Sequence, residues 1–244
     1  MASTDHRPFR CSFHSWMAQQ QQDLDELVEA FSADSPATDE DDLARLRDKC
    51  VANFAEYAER RAAMSRQSPP CFLSPPWCSA FENAFMWVGG CRPSLFIRLI
   101  YHVCGSELDA FLRGERKGNL AELTARQLEM INALHCKTVK EEDKFATRIA
   151  SLQEEIADEP LATMAKQSVG EWSGEVERAM VAHEAAMVEV LLAADRLRME
   201  TLKEVMGILT PLQAVDLLIA AKKLHISMHC WGFKREEQTS TCTN

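Results

Sequence analysis

The chain has 244 residues, 46% of them hydrophobic and 26% charged, with a formal net charge of −10. Such an acidic protein repels a phosphate backbone, and no run of lysines and arginines supplies a local footprint, so autonomous nucleic-acid binding is disfavoured. No apolar run approaches the roughly 20 residues that span a bilayer, no apolar core follows the opening MASTDHRPFR as a secretory signal requires, and the nine cysteines contain no C-x-x-C pair, which suits free thiols in a reducing compartment.

Residues 1–8 read as a disordered tail. From Phe9 the apolar positions Phe13, Trp16, Met17, Leu24, Leu27, Val28 and Phe31 recur at helical spacing and predict a first helix ending at Phe31. Asp34-Ser35-Pro36 breaks it. Thr38, with Asp41 three residues on, resembles a capping box. Leu43, Leu46, Cys50, Phe54 and Tyr57 then lie along one face of a second helix to about Ser65, and Gln67 to Leu73 reads as a loop.

From Ser74 to Gly105 two apolar helices are punctuated by Pro75-Pro76, Gly89-Gly90 and Pro93. The residue before a proline is pushed out of the helical region, so these helices begin after Pro76 and near Pro93. Gly89 and Gly90 reach positive φ without a Cβ penalty, which predicts that the first helix ends after Val88. Trp77, Phe81, Phe85 and Trp87 face Leu95, Phe96, Leu99 and Ile100, and a hairpin with so little polar surface must be wrapped by other elements.

A short helix over Glu107–Arg113 and a loop to Asn119 follow. The next helix runs from Thr124 to about Asp158, its seam formed by Leu128, Ile131, His135, Thr138, Glu142, Phe145, Ile149, Leu152 and Ile156. That seam suits an intramolecular helix pair, with a homodimeric coiled coil as the alternative. Pro160 ends it, and a further helix carries Val176, Met180, His183, Met187, Val190, Leu191 and Leu202. Thr210, Pro211 and Gln213 announce the last helix as N-cap, N1 and N3. Gly232 closes it, leaving 233–244 as a disordered tail.

Catalytic patterns are absent. His102 and Cys104 lie two apart on a helix and face different directions, as neighbours His135 and Cys136 do, so neither makes a nucleophile–base pair. There is no G-x-S-x-G, Walker loop or H-E-x-x-H. The acids Glu141-Glu142-Asp143 and Glu154-Glu155 read as solvated helix faces. A non-enzyme is expected. On the last helix Leu217, Ala221, Leu224, Met228 and Trp231 make one stripe and Ala214, Leu218, His225 and His229 the next, which predicts a mostly buried helix. His225 and His229, one turn apart, read either as satisfied structural histidines or as a zinc pair lacking a third ligand. Arg92 and Arg98 need anionic partners if buried, with Asp109, Glu82 or an acidic ligand as candidates.

Pro75-Pro76-Trp77, Trp87-Val88-Gly89-Gly90-Cys91-Arg92-Pro93-Ser94 and Arg98-Leu99-Ile100-Tyr101 resemble the central signature of a plant seed-dormancy-control domain, found in Delay-of-germination proteins and in the C-terminal half of TGA-type bZIP transcription factors. Phe13 to Leu27 is similar to the opening helix of that domain, and Asp195 to Leu202 to its D-x-L-R-x-x-T-L segment. The resemblance covers about Phe9 to Gly232 and implies an all-α, single-domain bundle of long amphipathic helices around a short apolar helical hairpin. It implies a non-enzymatic regulator of dormancy, hormone response or transcription in the nucleus or cytoplasm, with type 2C phosphatases or bZIP factors as partners; Trp231, Arg92 and Arg98 are the candidate partner-binding residues. No basic region precedes the domain, so the DNA-binding role of the TGA cousins is not expected. Leu224 to Gly232, L-H-x-S-x-H-x-W-G, is similar to the ending of dormancy proteins associated with haem, which adds a third reading for His225 and His229. Two histidines on one straight turn cannot bracket a flat macrocycle, so at most one would ligate iron. A helical sensor of haem or a lipid-like ligand is the alternative function.

Overall fold

A computed structural model describes residues 6–31, 39–113 and 119–241. Among them are eight α-helices: α1 Arg7–Phe31, α2 Glu40–Ser65, α3 Pro69–Leu73, α4 Ala80–Phe85, α5 Pro93–Leu112, α6 Ala125–Glu154, α7 Gly174–Ile208 and α8 Pro211–Thr241. Short three-ten turns cover Leu120–Glu122, Glu155–Ala157 and Leu161–Lys166. No strand occurs among the described residues, so the all-α expectation holds.

Several boundaries differ from expectation. α1 begins at Arg7, inside the stretch read as a tail, because Phe9 is buried against Phe72 and Trp77 at ring distances of 5.1 and 6.0 Å. Thr38 lies outside the described residues, and α2 starts after Asp39, which makes no side-chain capping bond. Part of the 67–73 loop is α3, with Pro69 supplying a preset φ at its first position. α4 stops at Phe85, three residues before Val88. α5 passes straight through Gly105, whose surroundings are open, and absorbs most of the helix read separately at 107–113.

The termini of the long helices follow their sequences. Thr124 and Gln127 form a reciprocal capping box at α6. At α8 the Thr210 amide donates to Gln213 at 3.1 Å and the Gln213 amide donates to Thr210 Oγ1 at 3.3 Å, as predicted. α8 does not stop at Gly232, however, and continues to Thr241.

Two hydrophobic clusters hold the helices. The first joins Leu24, Leu27, Ile97, Ile100, Ile131 and Leu217. The second joins Phe9, Phe13, Trp16, Phe72, Trp77 and Leu191. Full burial of each such side chain stabilises the fold by about 1.5–3 kcal/mol. The apolar hairpin is divided between them: Trp77 and Val88 serve the second cluster and Ile97 and Ile100 the first. The most enclosed stretch is instead the first half of α8, buried at every residue from Gln213 to Ile219. Its second half emerges, so the expectation of a mostly buried last helix holds only for the first two turns or so.

Polar clamps register the layers. Lys222 on α8 donates to Asp23 Oδ2 and Gln20 Oε1 on α1, both at 2.9 Å, while Asn53 on α2 donates to Asp23 Oδ1 at 2.9 Å. Asp23 and Lys222 are both buried, so removing either partner would strand a desolvated charge. α6 packs along α7, which makes the long 128–156 seam intramolecular.

Candidate functional site

The signature stretch 87–94 is a built turn. Val88 (φ 46°) and Gly89 (φ 64°) both have positive φ, and Trp87 and Gly90 exchange backbone hydrogen bonds of 2.8 and 3.2 Å, the geometry of a type I′ turn. A β-branched residue at positive φ costs about 1–3 kcal/mol and persists only where the surroundings over-determine it. Two buried guanidinium groups do so. Arg61 on α2 donates to the carbonyls of Gly89 (2.8 Å) and Phe72 (3.3 Å). Arg198 on α7 donates to the carbonyls of Cys91 (2.7 Å), Val88 (3.0 Å) and Trp87.

Asp195 Oδ1 joins the two arginines, accepting from Arg61 at 2.9 Å and from Arg198 at 2.6 Å. Thus the two sequence motifs, 87–94 and 195–202, meet in one buried network that also seats Arg198 over the Trp87 ring at 5.4 Å. A Cβ on Gly89 would strike the Phe72 carbonyl, and one on Gly90 would lie 2.9 Å from Arg198 Cζ. These motif residues serve the fold.

Arg92 finds neither Asp109 nor Glu82. Its Nε meets Glu142 Oε2 at 2.6 Å, and Glu142 Oε1 accepts the Ser94 amide at 2.7 Å. Glu142 is 1% exposed, so it is not part of a solvated acidic face; it neutralises the N-terminal end of α5. Arg98 is exposed on α5, with no partner among the described residues.

The emergent half of α8 packs on α4. The Ser79 amide and Oγ donate to Glu82 Oε2 at 2.9 and 2.7 Å, and Ser79 Oγ accepts the Glu82 amide at 3.2 Å. The other carboxylate oxygen of Glu82 meets His229 Nδ1 at 2.7 Å. Gly232 lies directly against Ser79, and Glu236 Oε1 accepts the Ala80 amide at 2.6 Å. This junction leaves an aromatic group facing outward. Phe81 sits 5.0 Å from Phe85 and 6.3 Å from Trp231 between ring centroids. Phe85 is 63% exposed and Trp231 49%, with Leu224, two turns before Trp231 on the same face, at 52%. The sequence predicts Phe81 and Phe85 in the core; α4 is only six residues long, and α8 touches it at Phe81 while Phe85 stays open among the described residues.

The two histidines have different environments. His229 is tied to Glu82 and flanked edge-to-face by Phe13 and Phe233 at 5.6 and 4.9 Å. Those rings fill the space beside it. His225 is an exposed residue whose ring has no hydrogen-bond partner among the described residues. Desolvation by surrounding protein pulls its pKa down to about 4, against the opposing charge of Glu82, so the imidazole is neutral at pH 7. No group of three or more His, Cys, Asp or Glu among the described residues could hold a metal ion. A cavity of about 220 Å³ between α6 and α7 is lined by Leu134, Phe145 and Leu197 on one hand and by Lys137, Glu141, Arg196, Glu200 and Glu204 on the other.

The fold and this site define an all-helical protein whose recognisable motif is architectural and whose α4–α8 surface is aromatic and open. The chain is similar to the family described as seed dormancy control, whose model matches residues 23–102. It is 38% identical to Protein DOG1-like 3 of Arabidopsis thaliana, over 94% of this chain and 86% of that one, and 40% identical to Protein DOG1-like 1, over 93% and 89%. Transcription factor TGA6 from the same plant is 24% identical over 87% of this chain and 59% of its own. The chain belongs to the seed-dormancy-control family.

Proposed function

We propose that the protein is a non-enzymatic regulator that acts by binding another protein through the Phe81–Phe85–Trp231 surface. The observation that carries this reading is the outward aromatic group at the α4–α8 junction. Large aromatic side chains held on rigid helices lose little entropy on binding and are enriched at binding hot spots. By analogy within the family, the partner is a type 2C phosphatase or a bZIP factor, and the pathway is dormancy or hormone response in the nucleus or cytoplasm. Arg98, exposed on α5, offers an additional cationic contact, whereas Arg92 is committed to Glu142. Isothermal titration of the purified protein against a type 2C phosphatase and against a TGA-type bZIP factor tests the reading. Micromolar or tighter binding to one of them, weakened at least about tenfold by Trp231→Ala, supports it. No binding to either, or binding indifferent to Trp231→Ala and Phe85→Ala, contradicts it.

A second reading, haem sensing, is favoured by His225, an exposed residue whose ring makes no hydrogen bond among the described residues. It would be one-sided ligation at an open surface. Hemin added to the purified protein would shift the Soret band in wild type and in His229→Ala, and would not in His225→Ala; equal spectra in all three would remove the reading.

A further inference from the structure

The three-ten turn Leu120–Glu122 is held at its start by two carboxyl groups from different helices. The Asn119 amide donates to Asp216 Oδ2 on α8 at 2.8 Å, and the Ala121 amide donates to Glu107 Oε2 on α5 at 3.0 Å. Acceptors for amides two residues apart on one tight turn stand side by side, close enough for the charge of Asp216 to bear on Glu107. Two ionised carboxylates so placed repel each other, whereas a proton shared between them replaces the repulsion with a hydrogen bond. Between the two anchored amides, Leu120 is 0% exposed and packs into the first hydrophobic cluster. Asp216 is itself buried, within the most enclosed stretch of α8.

We propose that Glu107 and Asp216 hold a single proton between them as a clasp, and that losing it as pH rises frees the 119–122 turn and loosens Leu120 from the α5–α8 seam. Repulsion between the two anions, Asp216 buried and Glu107 half-buried, then replaces the shared proton. Desolvation, followed by the charge of Asp216, raises the Glu107 pKa to about 7, so the clasp titrates near neutrality as a property of the pair. The titratable neighbours are Asp216 from α8, Cys104 one turn earlier on α5, and Glu122 on the turn itself; Cys104 feels Glu107 as a neighbouring anion. Because the bound proton is favoured by the folded clasp, closure is strongest below the ordinary carboxyl range, weakens as pH climbs through about 7, and levels off once the proton is gone.

Hydrogen exchange of the whole protein, corrected for intrinsic rates, tests this at pH 5.5 and pH 8. The Asn119, Leu120 and Ala121 amides lose at least about tenfold in protection at the higher pH, while amides in the middle of α7 do not. Glu107→Gln, which keeps an acceptor for Ala121 and donates to Asp216 permanently, holds the protection at both pH values; circular dichroism checks that it folds. Equal wild-type protection at the two pH values, or the same pH-dependent loss in Glu107→Gln, overturns the proposal.

Discussion

Gly232 on α8 rests on Ser79 at the N-cap of α4 so closely that a Cβ at position 232 would lie 2.9 Å from Ser79 Cβ and clash with Ser79 Oγ. The contact brings His229 to Glu82 and Glu236 to the Ala80 amide, one turn to either side. The outward aromatic group therefore depends on a glycine chosen for close approach within a continuing helix.

Gly232→Val forces α8 away from α4. It should destabilise the protein by about 1–3 kcal/mol, measured by denaturant unfolding, and shift Trp231 emission as its contact with Phe81 opens. Ser79→Gly in the same chain should restore part of the loss; no recovery would mean that the clash is not the cause.

Arg198→Ala removes donors from three carbonyls of the signature turn and leaves Asp195 with Arg61 alone. Breaking such a buried network costs about 3–5 kcal/mol. Arg198→Lys should recover little of it, because an ammonium cannot reproduce the fork that reaches Asp195 and the 87–91 carbonyls together. Unfolding curves of the two variants check this.

Burial pushes the Cys78 thiol up to about 12, with nearby Glu82 adding to the shift, and burial pushes Cys50 up to about 11. Thiolate is the nucleophile, so iodoacetamide at pH 8 should label exposed Cys11, Cys91, Cys136 and Cys230 in minutes and leave Cys50 and Cys78 unmodified in the native protein. The stability consequence has a definite sign. The folded pKa of Cys78 lies above its ordinary value of 9.0, so its contribution is intact below pH 9 and is lost as pH rises toward 12. Cys78→Ala should flatten the decline of melting temperature across that window relative to wild type.

Much of this architecture is legible in the chain because it is local. Apolar spacing of three and four finds the long helices, and the Thr210-Pro211-Gln213 start of α8 is read correctly from three residues. The motifs 87–94 and 195–202 are visible too. What joins them is not, since Arg61 meets Asp195 across 134 positions and carries no local pattern. Glycine misleads twice for one reason. Gly105 and Gly232 look like helix ends, yet one faces open space and the other a neighbouring helix, and neither has positive φ. Glu142 looks solvated beside Glu141 and Asp143 until α5 is seen to begin against it. The outward turn of Phe81 and Phe85 is equally hidden, because periodicity identifies an apolar face without saying whether anything covers it.

If Phe85 and Trp231 serve binding while the buried arginines serve the fold, stability and affinity separate when the two aromatic residues are removed. The most direct measurement pairs melting temperature with partner affinity for Phe85→Ala/Trp231→Ala against the type 2C phosphatase or bZIP factor that binds wild type. The account predicts a melting temperature within a few degrees of wild type and an affinity loss of at least about tenfold. An unchanged affinity, or a loss accompanied by collapse of the fold, would contradict it.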